Sequence, residues 1–216
     1  MTSGSIWKQM TFFAMPIFLG NLFQQLYNTV DSLIVGNFLG SSALAAVSSS
    51  GSLIFMLIGF LSGISAGAGV IVARFFGAGD EKNLQRAVHT TVAFGLVAGV
   101  LMTGVGVALS PQILRWMDTP ESVMRESVTY LQIYFAGSLG FVMYNVLVGI
   151  LQAVGDSRHP LYYLIVSSVI NLVLDLLFIT GFHTGVGGAA VATVISQIVS
   201  ALLCFWQLLR TKESYG

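Results

Sequence analysis

Charge is scarce in this sequence. Asp, Glu, Lys and Arg make up 8% of its 216 residues, against about 25% in soluble domains, so a fold wetted on all sides is excluded. Nine basic residues balance nine acidic ones. No basic run occurs that a nucleic acid could recognise. The single cysteine, Cys204, excludes an internal disulfide. Histidine is also rare, with three in the chain, at 89, 159 and 183, each at or near the end of an apolar run.

Apolar residues are abundant: 55% of the chain is hydrophobic and mean hydropathy is +0.84. The runs are long enough to cross a hydrocarbon core about 30 Å thick at about 1.5 Å per residue. They predict an all-α, polytopic membrane protein, one lobe over 1–216. Its six transmembrane helices lie at about 11–35, 46–73, 87–109, 122–152, 161–182 and 189–209. The first run is preceded by Lys8 and interrupted by Asn21, Gln24, Gln25 and Asn28, so it reads as a retained helix rather than a signal peptide. Pro16 lies inside it and is expected to bend it. Gly59, Gly63 and Gly67 on the second helix form a small-residue face suited to close helix packing. After the third helix, 111–117 reads as interfacial. Asp118-Thr-Pro-Glu121 then reads as an N-cap, a proline at N1 and an acidic first turn.

Six spans put both termini on one side. Lys8, Arg74, Lys82, Arg86, Arg158, Arg210 and Lys212 fall on that side and only Arg115 and Arg125 on the other. The positive-inside rule then predicts cytoplasmic termini.

Two acidic residues fall in the apolar interior of the spans, Asp31 and Asp175. A carboxylate at bilayer depth costs roughly 2.5–3.5 kcal/mol on insertion scales, and such residues usually mark an ion or proton path. Ser167, Asn171 and Asp175 recur every four residues and share one face of the fifth helix; Gln24, Asn28 and Asp31 share a face of the first. Thr193 begins a polar stripe on the sixth helix that continues through Ser196, Gln197 and Ser200. Asp175 stands roughly 22 Å up its helix and Thr193 roughly 6–9 Å below the opposite end of its own, so their heights nearly match. Asp31, Asn171, Asp175 and Thr193 can therefore meet. Two carboxylates, an amide and a hydroxyl are the hard oxygen ligands that suit a small cation, sodium or a proton. Neighbouring carboxylates in a low dielectric cannot both hold their charge cheaply, so such a pair takes up a proton or an ion as a unit.

At these residues the sequence resembles the multidrug and toxic compound extrusion (MATE) family. The resemblance rests on Pro16 with Asn28-Thr-Val-Asp31, on Val72-Ala-Arg-Phe-Phe-Gly-Ala-Gly79, and on Gln152-Ala-Val-Gly-Asp-Ser-Arg-His-Pro160. It continues through Asn171-Leu-Val-Leu-Asp175 and Gly185-Val-Gly-Gly-Ala-Ala-Val-Ala-Thr193. It implies an exporter of small organic, often cationic compounds in the bacterial inner membrane, driven by sodium or proton flow, with no cofactor. It also implies that Asp31, Asn171, Asp175 and Thr193 form the amino-terminal cation site, that Tyr130, Gln24 and Asn28 support it, and that Asn145 lines the substrate chamber. Pro16 would be the helix-bending proline. Members of the family have two six-helix lobes, so a partner lobe is expected.

Three other readings compete. Gly63-Ile-Ser-Ala-Gly67 superficially matches a serine nucleophile motif, but a histidine base at matching depth is lacking, so no enzyme is expected. A lipid-linked oligosaccharide flippase of a related family would need cationic side chains for phosphate, and no Lys or Arg falls in the apolar interior of a predicted span, Arg125 lying in the first turn of the fourth. A non-transporting lobe would bind no ion.

Overall fold

The computed structural model describes residues 3–182 and 186–210. His183 lies outside the described residues, as does the side chain of Asn28. The six predicted runs become six helical rods, each longer than its apolar stretch, the fifth only when its π-helical end, Leu177–Gly181, is included. They are α1 (Ile6–Leu39), α2 (Ser41–Gly77), α3 (Glu81–Trp116), the pair α4 (Glu121–Ala136) and α5 (Ser138–Ala153), α6 (Arg158–Leu176), and α7 (Val186–Arg210). The extra turns are reasonable on physical grounds. A helix satisfies its own backbone hydrogen bonds, so it continues past the apolar region until a cap or a turn residue stops it.

The stops can be read off individual residues. Gly40, at φ +90°, joins α1 directly to α2, a conformation that favours glycine. The gap between the first two predicted helices, 36–45, thus contracts to one residue. Asp80 caps α3: its Oδ1 accepts from the Asn83 backbone N–H at 3.2 Å and its Oδ2 from the Asn83 amide at 2.6 Å. Pro111 does not end α3, which runs on to Trp116; losing one ladder bond is tolerated near a helix end. Asp118 closes that end at φ +55°. Pro120 therefore occupies the cap of α4 rather than its first turn, and no side chain caps that helix.

Two irregularities bear on the site. The fourth predicted helix, expected to be continuous over 122–152, is broken at Gly137, and its halves meet at a bend of 53°. A β-carbon at Gly137 would sit 2.2 Å from Val194 Cγ1, and one at Gly140 would sit 2.7 Å from Ile198 Cγ1. The bend thus lies where α7 presses against the rod. The fifth predicted helix ends in a π-helical turn, Leu177–Gly181, directly after the Asp175 turn; such turns often accompany functional sites. Pro16 lies about ten residues into an unbroken α1.

Among the described residues, four helical stretches are long and apolar enough to span a membrane, at 51–77, Glu81–Trp116, Arg158–Gly181 and Gly187–Arg210, and the bent α4–α5 pair makes a fifth. In α1 the amides of Asn21, Gln24 and Gln25 dilute the apolar character. The apolar side chains that face outward, including Phe55, Phe60, Val97 and Leu202, suit hydrocarbon rather than water. α3 packs on α5, α6 on α7, and α1 chiefly on α6. A core of Leu84, Val146, Leu147, Ile150, Leu151 and Cys204 fills the space between them.

The glycine face of α2 departs from expectation. Gly59, Gly63 and Gly67 are exposed, and a β-carbon at any of them would meet nothing within 4 Å. Spacing identified a smooth face but not what covers it; among the described residues no helix does.

Candidate functional site

α1, α4, α6 and α7 converge on a cavity of about 340 Å³ whose walls include Asp31, Tyr130, Asn171 and Thr193. Asp175 is wholly buried behind it, at 0% exposure, within hydrogen-bonding reach of the Asp31 side chain. Tyr130 is buried close to both carboxyls. Gln24 also lines the cavity. The structure therefore brings together Asp31, Asn171, Asp175, Thr193, Tyr130 and Gln24.

The hydrogen bonds show which atoms are left over. Ser196 Oγ donates to the Thr193 carbonyl at 2.8 Å, so its oxygen can only accept from Asn171. Asn171 accordingly presents Nδ2 to it at 3.0 Å, which turns Asn171 Oδ1 the other way. Thr193 Oγ1 donates to the Ala189 carbonyl at 3.0 Å, leaving its lone pairs free.

Among the described residues, the buried side-chain atoms without a hydrogen-bond partner are six acceptor oxygens. Four of them are Asp31 Oδ1, Asn171 Oδ1 and both carboxyl oxygens of Asp175; a fifth is Gln197 Oε1. Burying such a group costs about 1–3 kcal/mol when nothing satisfies it. Asp31 and Asp175 are within bonding reach of each other, yet ionised carboxylates have no proton to share. A set of converging acceptors without donors calls for a proton or a metal cation. No group of three or more His, Cys, Asp and Glu occurs among the described residues, so the ligands on hand are oxygens, with no thiolate or imidazole cluster.

Other predicted residues lie elsewhere. Pro16 and Asn145 line a second cavity of about 420 Å³, and Asn145 also lines a third of about 380 Å³ with Ser65. The Asn145 amide donates to the Phe141 carbonyl at 2.9 Å. Ser65 is buried, and no histidine lines its cavity among the described residues. Tyr134 and Tyr144 also line the first cavity. Both escape a sequence reading, because an aromatic residue on an apolar helix looks like core.

The MatE family model matches residues 16–177. The probable multidrug resistance protein YoeA of Bacillus subtilis is 37% identical over 213 residues, which cover 97% of this chain and 46% of that protein. YpnP of the same organism, also a probable multidrug resistance protein, is 35% identical over 98% of this chain and 47% of its own length. A solved MATE structure in the bent conformation superposes with a TM-score of 0.90 at 28% identity, covering 98% of this chain and 47% of that one. A transporter of the MOP superfamily from Pyrococcus furiosus superposes with a TM-score of 0.91 at 28% identity, covering 99% and 47%. The chain spans about half the length of the curated relatives it matches.

Proposed function

This chain belongs to the MatE family, and on that premise we propose that it is the amino-terminal lobe of a cation-coupled exporter of small organic, often cationic compounds. Asp31, Asn171, Asp175 and Thr193 hold the coupling ion, sodium or a proton, and Tyr130 and Gln24 border the site. The substrate path lies between this lobe and a second six-helix lobe, with Asn145 in the chamber wall. The protein resides in a bacterial inner membrane with both ends of this lobe in the cytoplasm.

The observation that carries this reading is the cluster of four buried acceptor oxygens on Asp31, Asn171 and Asp175 that no donor satisfies. Loading a cation offsets the repulsion between the two carboxylates, and the change in local charge decides which conformation is lower in free energy. The cavity walls hold no Lys or Arg among the described residues, which disfavours an anionic, phosphate-bearing substrate.

The test is sodium-dependent thermal stability of the purified chain over a pH series, with proton uptake measured alongside. A ligand that binds only the folded state raises stability by about 2.7 kcal/mol at a hundred times its dissociation constant. The parent should gain more from sodium at alkaline pH, where protons compete less, and Asp31→Asn and Asp175→Asn should each lose most of the gain. Absence of a sodium effect at every pH, with proton uptake unchanged in both variants, would refute the reading.

A further inference from the structure

The cavity of the acid pair has a neighbour that the cation ligands do not account for. The cavity around the acid pair and the one lined by Pro16 and Asn145 share six residues contributed by five helices: Gln24, Phe55, Ile58, Tyr144, Leu164 and Gln197. The second cavity reaches the loop end of the bundle, where Ser157 and Pro160 line it. Along α1 the two cavities together run from Pro16 to beyond Asp31, about 22 Å at helical rise. No charged side chain lines the second cavity among the described residues.

Of the six shared residues, Gln24 and Gln197 alone carry a carboxamide. Gln197 stands one turn after Thr193 on α7, and its Oε1 is buried with no hydrogen-bond partner. Asn171 Nδ2 donates to Ser196 beside it, whereas no donor among the described residues reaches the Gln197 oxygen. A sodium ion leaving water needs oxygen ligands at each step, and those ligands must bind weakly enough to release it. A neutral amide oxygen in the wall between the second cavity and two carboxylates meets both requirements.

We propose that Gln197 is a transfer ligand: its carboxamide oxygen takes sodium from Asp31 and Asp175 and hands it to the cavity at the Pro160 end. Gln24 is the other amide of the shared wall. The proposal rests on the cation reading given above and assigns Gln197 a role in the rate of sodium exchange, not in the strength of binding.

The experiment uses the purified full chain, sodium chloride against choline chloride at constant ionic strength, and two variants. Gln197→Met keeps length and flexibility but removes the hard oxygen. Asn21→Phe obstructs the second cavity at an exposed position far from the acids. Stopped-flow tyrosine fluorescence gives the sodium association and dissociation rates, and sodium-dependent thermal stability gives the affinity.

Both variants should slow association and dissociation together by about tenfold, a barrier increase of roughly 1.4 kcal/mol, with affinity unchanged. Unchanged rates in either folded variant would overturn the proposal. So would weaker affinity at an unchanged association rate, since Gln197 would then be a resident ligand. If Gln197→Met does not fold, Asn21→Phe decides alone. A parent that binds no sodium at any pH would overturn this inference while leaving the proton arm of the functional reading standing. Loss of proton uptake in the two aspartate variants tests that arm separately.

Discussion

The Asp31 side chain reaches the carboxyl of Asp175 across the contact between α1 and α6, and both oxygens of Asp175 lack a donor. The two residues come from opposite ends of the sequence and meet where burial makes a bare charge most costly. Without a shared proton or cation, this contact works against the packing that surrounds it.

Replacing Asp175 with asparagine should therefore not harm the ion-free fold. The amide supplies a donor toward Asp31 and removes a charge that is costly at this depth. The expected result is an apparent melting temperature, measured without sodium, equal to or above that of the parent. A fall equivalent to more than about 1 kcal/mol would mean that the carboxylate has a structural partner.

The convergence of these two acids was legible because they are the only acidic residues inside apolar runs and each sits in a polar stripe at helical spacing. Other features depend on contacts that periodicity does not encode. The break at Gly137 depends on Val194, 57 positions later in the sequence. The π turn after Asp175 interrupts a run whose composition gives no warning. Gln197 was visible as a member of the α7 polar stripe, but its unpartnered oxygen and its place between two cavities emerge only when five helices are assembled.

Asp80 offers a test of the caps outside the site. Its carboxylate accepts from both the backbone and the side chain of Asn83, at the positive end of α3. Asp80→Ala should cost about 1 kcal/mol. Asp80→Ser should recover much of it, because a serine oxygen can still cap. Denaturation curves with equal stability for Asp80→Ala and the parent would show that the cap contributes nothing.

Orientation can be examined on the loops. Cys204 is buried, so replacing it with alanine should leave a quiet background for thiol labelling in intact cells. A cysteine at Ser122, exposed at the start of α4, should react with an impermeant reagent applied from outside. One at Lys82, exposed at the start of α3, should react only after permeabilisation. The reverse pattern would invert the proposed topology.

The last test contrasts two sets of glycines. At Gly137 a new β-carbon would lie 2.2 Å from Val194 Cγ1, closer than side chains approach, so α7 must shift. Gly137→Ala should destabilise the chain by about 1–3 kcal/mol, as overpacking does. Gly63 has open space where its β-carbon would go, and Gly63→Leu should stay within about 0.5 kcal/mol of the parent. The two substitutions separate more sharply in assembly. If the second lobe covers the face of Gly59, Gly63 and Gly67, a leucine there should hold the lobes apart, so that efflux fails while the lobe itself melts normally. Gly63→Leu with full efflux would place the partner lobe on another face. A large loss of stability in that variant would instead mean that the glycine stripe is packed within the lobe, contrary to the open space above it.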